Sequence, residues 1–290
     1  MRRSAAAARA SATLSYSEAE RRYHQAVNTA RGLPRARLSD DTVIVSTYDA
    51  VPPARILYTN CLHAGLRCSL LEPSYASVSL IPYRETGNIV IFTRNPRSLR
   101  VVNLAEASSL LGLEVTVVTP PPHPAVRERL ESVGAEIIEV GEPSLLVMSI
   151  ASTLWTPKLM GAREERVRAE LEDLPTALRW VEERVRVKLP SLREVNPRPP
   201  LYTPIAAPGA YYHCLALRCG APLPVEAVLS VDLEPSVIYL NSVELHDYRD
   251  LLTIPRKGID RGLIVEINAD PVTSGLYSVL AAVLITGRII

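Results

Sequence analysis

Short apolar segments alternate with segments of helical periodicity along most of this sequence. The apolar segments are rich in Val and Ile, and several helical segments end at a glycine, as at Gly65 and Gly112. Because a strand followed by a helix and a further strand typically forms a parallel βαβ unit, this order predicts an α/β fold of mainly parallel sheets sandwiched between helices. The predicted strands cover residues 42–47, 66–72, 88–93, 113–119 and 135–140 in the first half, and 201–206, 222–229, 236–241 and 262–268 in the second.

Longer helical stretches and prolines indicate how the chain is divided. A helix at 15–33 begins with a capping box formed by Ser17 and Glu20. Residues 143–160 and 162–188 are also helical by pattern, with a predicted break at Pro175. We therefore predict a flexible N-terminus at 1–14, a first domain at 15–188 with N-terminal and connecting helices, a proline-rich linker at 189–200 and a second domain at 201–290.

Charge and composition limit the classes of function. The 290 residues include 32 basic and 31 acidic side chains, and the formal net charge of +1 gives no electrostatic basis for binding nucleic acid or a membrane. No apolar run is long enough to span a bilayer. The first ten residues resemble a transit peptide in their Arg, Ala and Ser content but have no apolar core, so we expect a frayed terminus.

Cysteine, proline and glutamine usage indicates the environment of the protein. The four cysteines form no C-x-x-C motif, which favours reduced thiols in a cytoplasmic protein. The 24 prolines, with Gln25 as the only glutamine, are typical of a thermophile, although a GC-rich genome explains the excess of arginine equally well.

The segment "VIFTRNPRSL" at 90–99 joins a predicted buried strand to a predicted helix. In open α/β sheets ligands bind at the carboxyl ends of the strands, and a helix N-terminus offers unpaired N–H groups and a partial positive charge to an anion, typically a phosphate. The alternative interpretation is that Ser98 only caps the helix and that the arginines are solvated. Both interpretations are open at this point.

The order of strands, loops and helices resembles the SIS (sugar isomerase) family in its double-domain form, over roughly residues 15–290. Relatives include the isomerase half of glucosamine-6-phosphate synthase and the archaeal phosphoglucose/phosphomannose isomerases. The phosphate loop of the family, S-x-S-G-x-T, corresponds to Thr93–Ser98, with Asn95 in place of the middle Ser and Pro96 in place of the Gly. Because proline has no N–H, Arg94 or Arg97 is the expected replacement donor.

Two further loops extend this resemblance. The first loop of the family, G-[TS]-S, corresponds to "STY", with hydroxyls at Ser46 and Thr47. A Ser-Thr pair that opens the helix after the fifth strand corresponds to Ser152–Thr153. The resemblance therefore implies a sugar-phosphate site formed by Ser46, Thr47, Thr93, Arg94, Asn95, Ser98, Ser152 and Thr153.

The catalytic residues of the family do not align with this sequence. Isomerisation between an aldose and a ketose needs a base and a ring-opening acid, and the resemblance implies a Glu near the end of the first helix of the second domain and a His shortly after it. Here Leu217, Arg218 and Cys219 occupy that helix end. The remaining candidates are Glu226, which is equally explained as a solvent-facing strand residue, and His213, which is more typical of a structural core histidine.

The sequence thus predicts a phosphosugar-binding protein that either isomerises its ligand or serves as a non-catalytic SIS-fold sensor or dimeric scaffold. The resemblance implies a homodimer with shared sites. The sequence has no metal-ligand spacing and no glycine-rich nucleotide loop, so no cofactor is predicted. The apolar closing helix at 274–287 is predicted to be buried on nearly all sides.

Overall fold

The computed structural model describes residues 14–83, 87–195, 198–229, 236–253 and 264–290. Of the predicted N-terminal segment, residues 1–13 lie outside this range. The elements of the first half are α1 (Tyr16–Arg31), β1 (Val43–Ser46), α2 (Val51–His63), β2 (Ser69–Leu71), the single turn α3 (Pro73–Tyr75), β3 (Asn88–Phe92), α4 (Leu99–Leu110), β4 (Glu114–Thr119), α5 (Pro124–Ser132), β5 (Glu136–Glu139) and α6 (Ser144–Leu154). They are followed by α7 (Ala162–Glu172), α8 (Ala177–Val185), α9 (Leu189–Val195), β6 (Leu201–Tyr202), α10 (Ala207–Leu217), β7 (Leu223–Pro224), β8 (Ile238–Asn241), α11 (Leu245–Thr253), β9 (Ile264–Ile267) and α12 (Pro271–Thr286).

The strands form two sheets, and every described strand pair is parallel. The five-stranded sheet has the order β2-β1-β3-β4-β5, and the four-stranded sheet has the order β7-β6-β8-β9. The central strands are short, continuous apolar runs such as "VIVS" and "NIVIF", as expected of strands buried on both faces. The predicted fold class, two mainly parallel sheets with helices packed on them, is confirmed.

Alternate residues of the first sheet face two different apolar clusters. Ile44 and Phe92 face the larger cluster together with α1, α2 and α6, whereas Val45 and Ile91 face the smaller one together with α4. The larger cluster also includes Tyr239 from the second sheet. Therefore α2 and α6 lie between the two sheets rather than on the outside.

Helix α12 lies at the centre of this shared core. Fifteen of its sixteen residues are buried, which confirms the burial predicted for the closing helix. It packs against α10, α2, α6 and α8. Such burial is possible because the helix carries no charged residue and its serine and threonine hydroxyls have partners, as Ser278 Oγ does with Gly275 O at 2.7 Å and Ser274 Oγ with Asn241 Nδ2 at 2.7 Å.

Several local predictions differ from the structure. Helix α1 is capped by Ser15, whose Oγ accepts Glu18 N–H at 3.3 Å, so the capping box predicted at Ser17 and Glu20 is wrong. The predicted strand at 201–206 is limited to β6, because Pro204–Ala206 forms a 3₁₀ helix. The predicted strand at 222–229 is limited to β7, because residues 225–229 form a 3₁₀ helix. The segment predicted as a linker is helical over Leu189–Val195, with Pro190 in the first turn, where its missing N–H is tolerated. Helix α6 ends at Leu154 instead of continuing to residue 160, whereas the break at Pro175 is present between α7 and α8.

Candidate functional site

The strand order places a crevice at the carboxyl edge of the first sheet. The connection after β1 crosses to β2 on one side, while β3 pairs with β1 on the other side. The two loops that follow β1 and β3 therefore diverge, which creates the topological switch point where doubly wound sheets bind ligands. These loops hold Ser46–Thr47 and Thr93–Ser98, so the structure brings both predicted segments to one crevice.

The loop after β1 contributes one hydroxyl without a bonded partner. Ser46 is 5% exposed, and its Oγ has no hydrogen-bond partner among the described residues. The hydroxyl of Thr47, in contrast, donates to the carboxylate of Asp49, and the Thr47 backbone N–H donates to Phe92 O at 3.1 Å. The Thr47 hydroxyl therefore bonds within its own loop, whereas the Ser46 hydroxyl has no bond within the described residues.

The loop after β3 is folded by its own polar side chains. Asn95 N–H donates to Thr93 Oγ1 at 3.1 Å, and Arg97 N–H donates to Asn95 Oδ1 at 3.0 Å. Ser98 N–H then donates to Asn95 O at 3.1 Å. This pattern is an Asx turn, in which an asparagine side chain takes the place of a backbone acceptor. Thr93 and Asn95 therefore shape the loop.

Ser98 stands at the N-cap of α4 but does not cap it. Its side chain accepts no bond from the helix, it is 9% exposed, and its hydroxyl has no partner within the described part of the chain. The N–H groups of residues 99–101 likewise have no acceptor there, since the first helical bond is from Val102 N–H to Ser98 O at 3.2 Å. The start of α4 thus presents three N–H donors and one hydroxyl, a typical anion-binding arrangement.

Arg94 places a positive charge at the carboxyl edge of the first sheet. It is half-buried, and its Nε donates to Ser144 Oγ at 3.2 Å, at the first residue of α6. The α6 terminus is itself occupied, because Ser144 N–H donates to the carboxylate of Glu142 at 2.9 Å. Ser144 is a residue that the sequence interpretation missed, although its position directly after Pro143 marks a helix start.

Ser152 and Thr153 do not belong to this crevice, and their predicted position at the start of a helix is wrong. They lie in the last turn of α6, whereas the helix opens at Ser144, roughly 12 Å away at 1.5 Å per residue. Both are fully buried, and Thr153 Oγ1 donates to Ser149 O at 2.9 Å. Ser152 Oγ is buried without a partner.

The two sheets begin with the same local arrangement, which makes the second crevice an internal comparison for the first. Thr203 N–H donates to Tyr239 O at 3.0 Å across β6 and β8, just as Thr47 N–H donates to Phe92 O across β1 and β3. Each threonine is followed by one turn of 3₁₀ helix and then by the first helix of its sheet.

The crevice of the second sheet is filled by Glu244. This side chain is 7% exposed, and its carboxylate accepts bonds from the Thr203 hydroxyl and from Ile205 N–H at 2.9 Å. Burial raises the pKa of the Glu244 carboxyl. In both sheets the threonine hydroxyl thus donates to a carboxylate, that of Glu244 here and that of Asp49 in the first sheet. The sheets differ in the loop after the next strand, which carries Arg94 and Arg97 in the first sheet and Glu244 in the second.

Both candidate catalytic residues are hydrogen-bonded to a tyrosine hydroxyl. His213 is fully buried in α10, with its Nδ1 2.9 Å from the Tyr239 hydroxyl. Glu226 does not lie in a strand as predicted. It is exposed in the 3₁₀ helix after β7 and accepts a bond from the Tyr248 hydroxyl at 2.9 Å.

Thr119 is a second residue that sequence reasoning missed. It ends β4, next to the strand that leads into the Thr93–Ser98 loop, and Val140 N–H donates to its carbonyl at 2.9 Å. Its side-chain Oγ1 is buried without a partner. A hydroxyl at the carboxyl end of a strand was visible in "VTVVT", but nothing local distinguished it from an ordinary strand threonine.

Within the described ranges, no group of three His, Cys, Asp or Glu residues is arranged to bind a metal ion, and no helix has both the length and the apolar character that a membrane crossing requires.

The whole arrangement is similar to solved structures of sugar-phosphate enzymes. The C-terminal domain of glucosamine-fructose-6-phosphate aminotransferase from Francisella tularensis aligns with a TM-score of 0.62 at 13% identity, covering 93% of this chain and 94% of that one. Tagatose-6-phosphate ketose/aldose isomerase from Escherichia coli aligns with a TM-score of 0.56 at 12% identity, covering 92% and 86%. Glucosamine-6-phosphate deaminase from Thermotoga maritima aligns with a TM-score of 0.54 at 11% identity, covering 92% and 90%.

These likenesses show a shared fold. The sequence itself matches no family model and no curated protein.

Proposed function

We propose that this chain binds a phosphorylated sugar, with the phosphate at the N-terminus of α4 in the crevice between β1 and β3. The observation that carries the proposal is the set of unpaired donors there, namely Ser98 Oγ and the N–H groups of residues 99–101. The charge of the loop supports it, because the segment after β3 carries Arg94 and Arg97, whereas the segment after β8 carries Glu244. The three solved structures named above carry the names of sugar-phosphate proteins, and they have the same fold.

Within this site, Ser98 and Arg94 would have different roles in binding the phosphate. Ser98 would donate its hydroxyl to a phosphate oxygen alongside the backbone N–H groups. Arg94 would balance the phosphate charge, since proline at position 96 removes one backbone donor from the loop. Thr93 and Asn95 would contribute indirectly, by holding the loop in the Asx turn that aims it at the crevice.

Binding without turnover is the form of this proposal that the described residues favour. His213 is enclosed in the core, Glu226 is paired with Tyr248, and Arg218 stands where the resemblance implies a catalytic base. A sensor or scaffold needs only the phosphate site, whereas an isomerase also needs a base beside the sugar carbons. The homodimer and the cytoplasmic location implied by the resemblance remain predictions, as does a thermophilic source.

A thermal-shift titration with fructose 6-phosphate, glucosamine 6-phosphate and tagatose 6-phosphate tests the proposal, with the unphosphorylated sugars and inorganic phosphate as comparisons. A ligand at a hundred times its Kd stabilises the folded state by about 2.7 kcal/mol. Ser98→Ala should weaken binding by about 1–2 kcal/mol, the usual loss of a hydrogen bond to a charged group. Arg94→Ala should weaken it at least as much and reduce its dependence on salt.

Ser132→Ala is the matched control, because its exposed hydroxyl bonds only to Arg129 O at the far end of α5. Equal loss of affinity in Ser98→Ala and Ser132→Ala, or no shift with any sugar phosphate, would exclude the site. Turnover is measured on the bound sugar by deuterium exchange from D₂O at the carbons next to the carbonyl. We expect none, and incorporation of deuterium would establish the isomerase instead.

A further inference from the structure

The four cysteines fall into two pairs at equivalent places in the two sheets. Helices α2 and α10 each follow the first strand of their sheet along the chain, β1 and β6, and each ends in the same turn. Leu66 N–H donates to Cys61 O at 3.0 Å, and Cys219 N–H donates to Cys214 O at 3.2 Å. The residue before each donor is left-handed, Gly65 with φ +81° and Arg218 with φ +57°. This is the Schellman motif, in which the side chains of the first and last residues of the turn meet.

In α10 both of these contacting positions are cysteine. The Sγ atoms of Cys214 and Cys219 lie 2.7 Å apart, about 0.7 Å longer than a disulfide bond. In α2 the second position is Leu66, and Cys68 follows two residues later. The Cys61 thiol hydrogen-bonds with that of Cys68. Both pairs therefore connect the last turn of a first helix to the segment leading into the next strand, β2 or β7.

Each pair combines a buried sulfur with a reachable one. Cys61 and Cys214 are buried, whereas Cys68 and Cys219 are half-buried. The hydrogen bond between the thiols of the α10 pair lowers the pKa of Cys219 and raises the pKa of Cys214. The more accessible sulfur is thus also the better source of thiolate, the form that attacks a disulfide.

We propose that Cys214–Cys219 and Cys61–Cys68 are oxidation sites that form two intrachain disulfides, one closing the equivalent turn in each sheet. The oxidant is a small disulfide such as oxidised glutathione. The Cys219 thiolate attacks one sulfur of glutathione disulfide, which forms a mixed disulfide and releases one glutathione thiolate. Cys214 loses its proton and attacks the Cys219 sulfur, which expels the second glutathione. Two thiols are oxidised, one small disulfide is reduced to two thiols, and Cys68 and Cys61 take the corresponding roles in α2.

This inference revises the reduced thiols expected from the sequence. It does not rest on the proposed sugar-phosphate function, because the pairs lie at the C-terminal ends of α2 and α10, not at the start of α4. A disulfide that closes such a turn removes freedom mainly from the unfolded chain and so stabilises the helix end against fraying.

Tryptic mapping tests the proposal on the unmodified chain. An arginine separates the members of each pair, Arg67 before Cys68 and Arg218 before Cys219, so trypsin cuts between them. After equilibration of the folded chain with oxidised glutathione and alkylation of remaining thiols, we expect each pair as two peptides joined by a reducible bond. The intact mass should fall by about 2 Da for each bond. Four alkylated cysteines, or glutathione left attached to Cys68 and Cys219, would overturn the proposal.

Serine variants provide matched controls. In Cys219→Ser the α10 link should disappear while the α2 link stays, and Cys68→Ser should give the reverse result. The oxidised wild type should melt about 4–8 °C above its reduced form, and the double variant should show no dependence on reductant. A link between cysteines of different pairs in the folded wild type would contradict the assignment.

Discussion

At the scale of single residues, Asp270 is a buried carboxylate that ties two helices together. Its side chain is 1% exposed and accepts hydrogen bonds from Arg163 at 2.8 Å and Arg166 at 2.6 Å, both on α7. It also accepts Val272 N–H at 3.1 Å and so caps α12. Burial alone raises the pKa of Asp270, but the bonds from Arg163, Val272 N–H and Arg166 outweigh burial and hold the pKa below its usual range.

We expect Asp270→Asn to lower the free energy of unfolding at pH 7 by about 2 kcal/mol, because asparagine still caps a helix but carries no charge for the two arginines. Since the folded-state pKa is depressed, the carboxylate contributes fully above about pH 4, and the contribution is lost as the pH falls further. Urea unfolding at pH 7 and near pH 3 should therefore show a difference between wild type and variant that shrinks in acid. Asp40→Asn is the control, because Asp40 is exposed. If the difference in unfolding free energy between wild type and Asp270→Asn did not change with pH, the ion-pair explanation would be refuted.

At the scale of elements, the strands were predictable because each is a short, continuous apolar run bounded by turn residues. The sequence located β1, β3 and β4 to within a residue or two of their observed ends. The sequence also placed the Thr93–Ser98 loop correctly between β3 and α4, because the signals that start a helix are local. It misplaced Ser152–Thr153 because the pair was matched by motif, although the helix begins eight residues earlier, after Pro143. It could not identify Glu244, because only the strand order brings that side chain to Thr203.

The contact between α10 and α12 gives a prediction at this same scale. Gly209 N–H donates to Ser278 Oγ at 2.9 Å, and a Cβ built on Gly209 would lie 2.6 Å from the Ser278 carbonyl carbon. Because the added Cβ would overlap with backbone atoms of Ser278, which cannot move aside as a side chain can, Gly209→Ala should push α10 and α12 apart. The free energy of unfolding should fall by about 2–3 kcal/mol. Gly141→Ala, where the added Cβ meets nothing within 4 Å, is the control for chemical denaturation. Equal stability of the two variants would show that the helices are not in close contact.

At the scale of the whole molecule, one apolar core joins both sheets. The cluster that contains Ile44 and Phe92 of the first sheet also contains Tyr239 and Val265 of the second. Helix α12 fills the space between them and is buried by elements from both halves. The two sheets resemble each other in strand order and in their first turns, and on one face each contributes to this shared cluster. The predicted division at 189–200 falls where the chain passes from one sheet to the other, and we expect the folding unit to include both sheets.

We expect the full chain to unfold in one cooperative transition, because removing either half exposes the apolar faces of α2, α6 or α12 to water. Calorimetric and van't Hoff enthalpies should agree. Fragments 14–188 and 201–290, produced separately, should lack the sharp melting of the whole chain. Gly209→Ala provides the internal check, since weakening the α10–α12 contact should move the entire transition to lower temperature without splitting it. Two resolved transitions, or a fragment 14–188 that melts sharply alone, would mean that the first sheet is stabilised by the outer helices α4 and α5, and that the shared core only joins two independent domains.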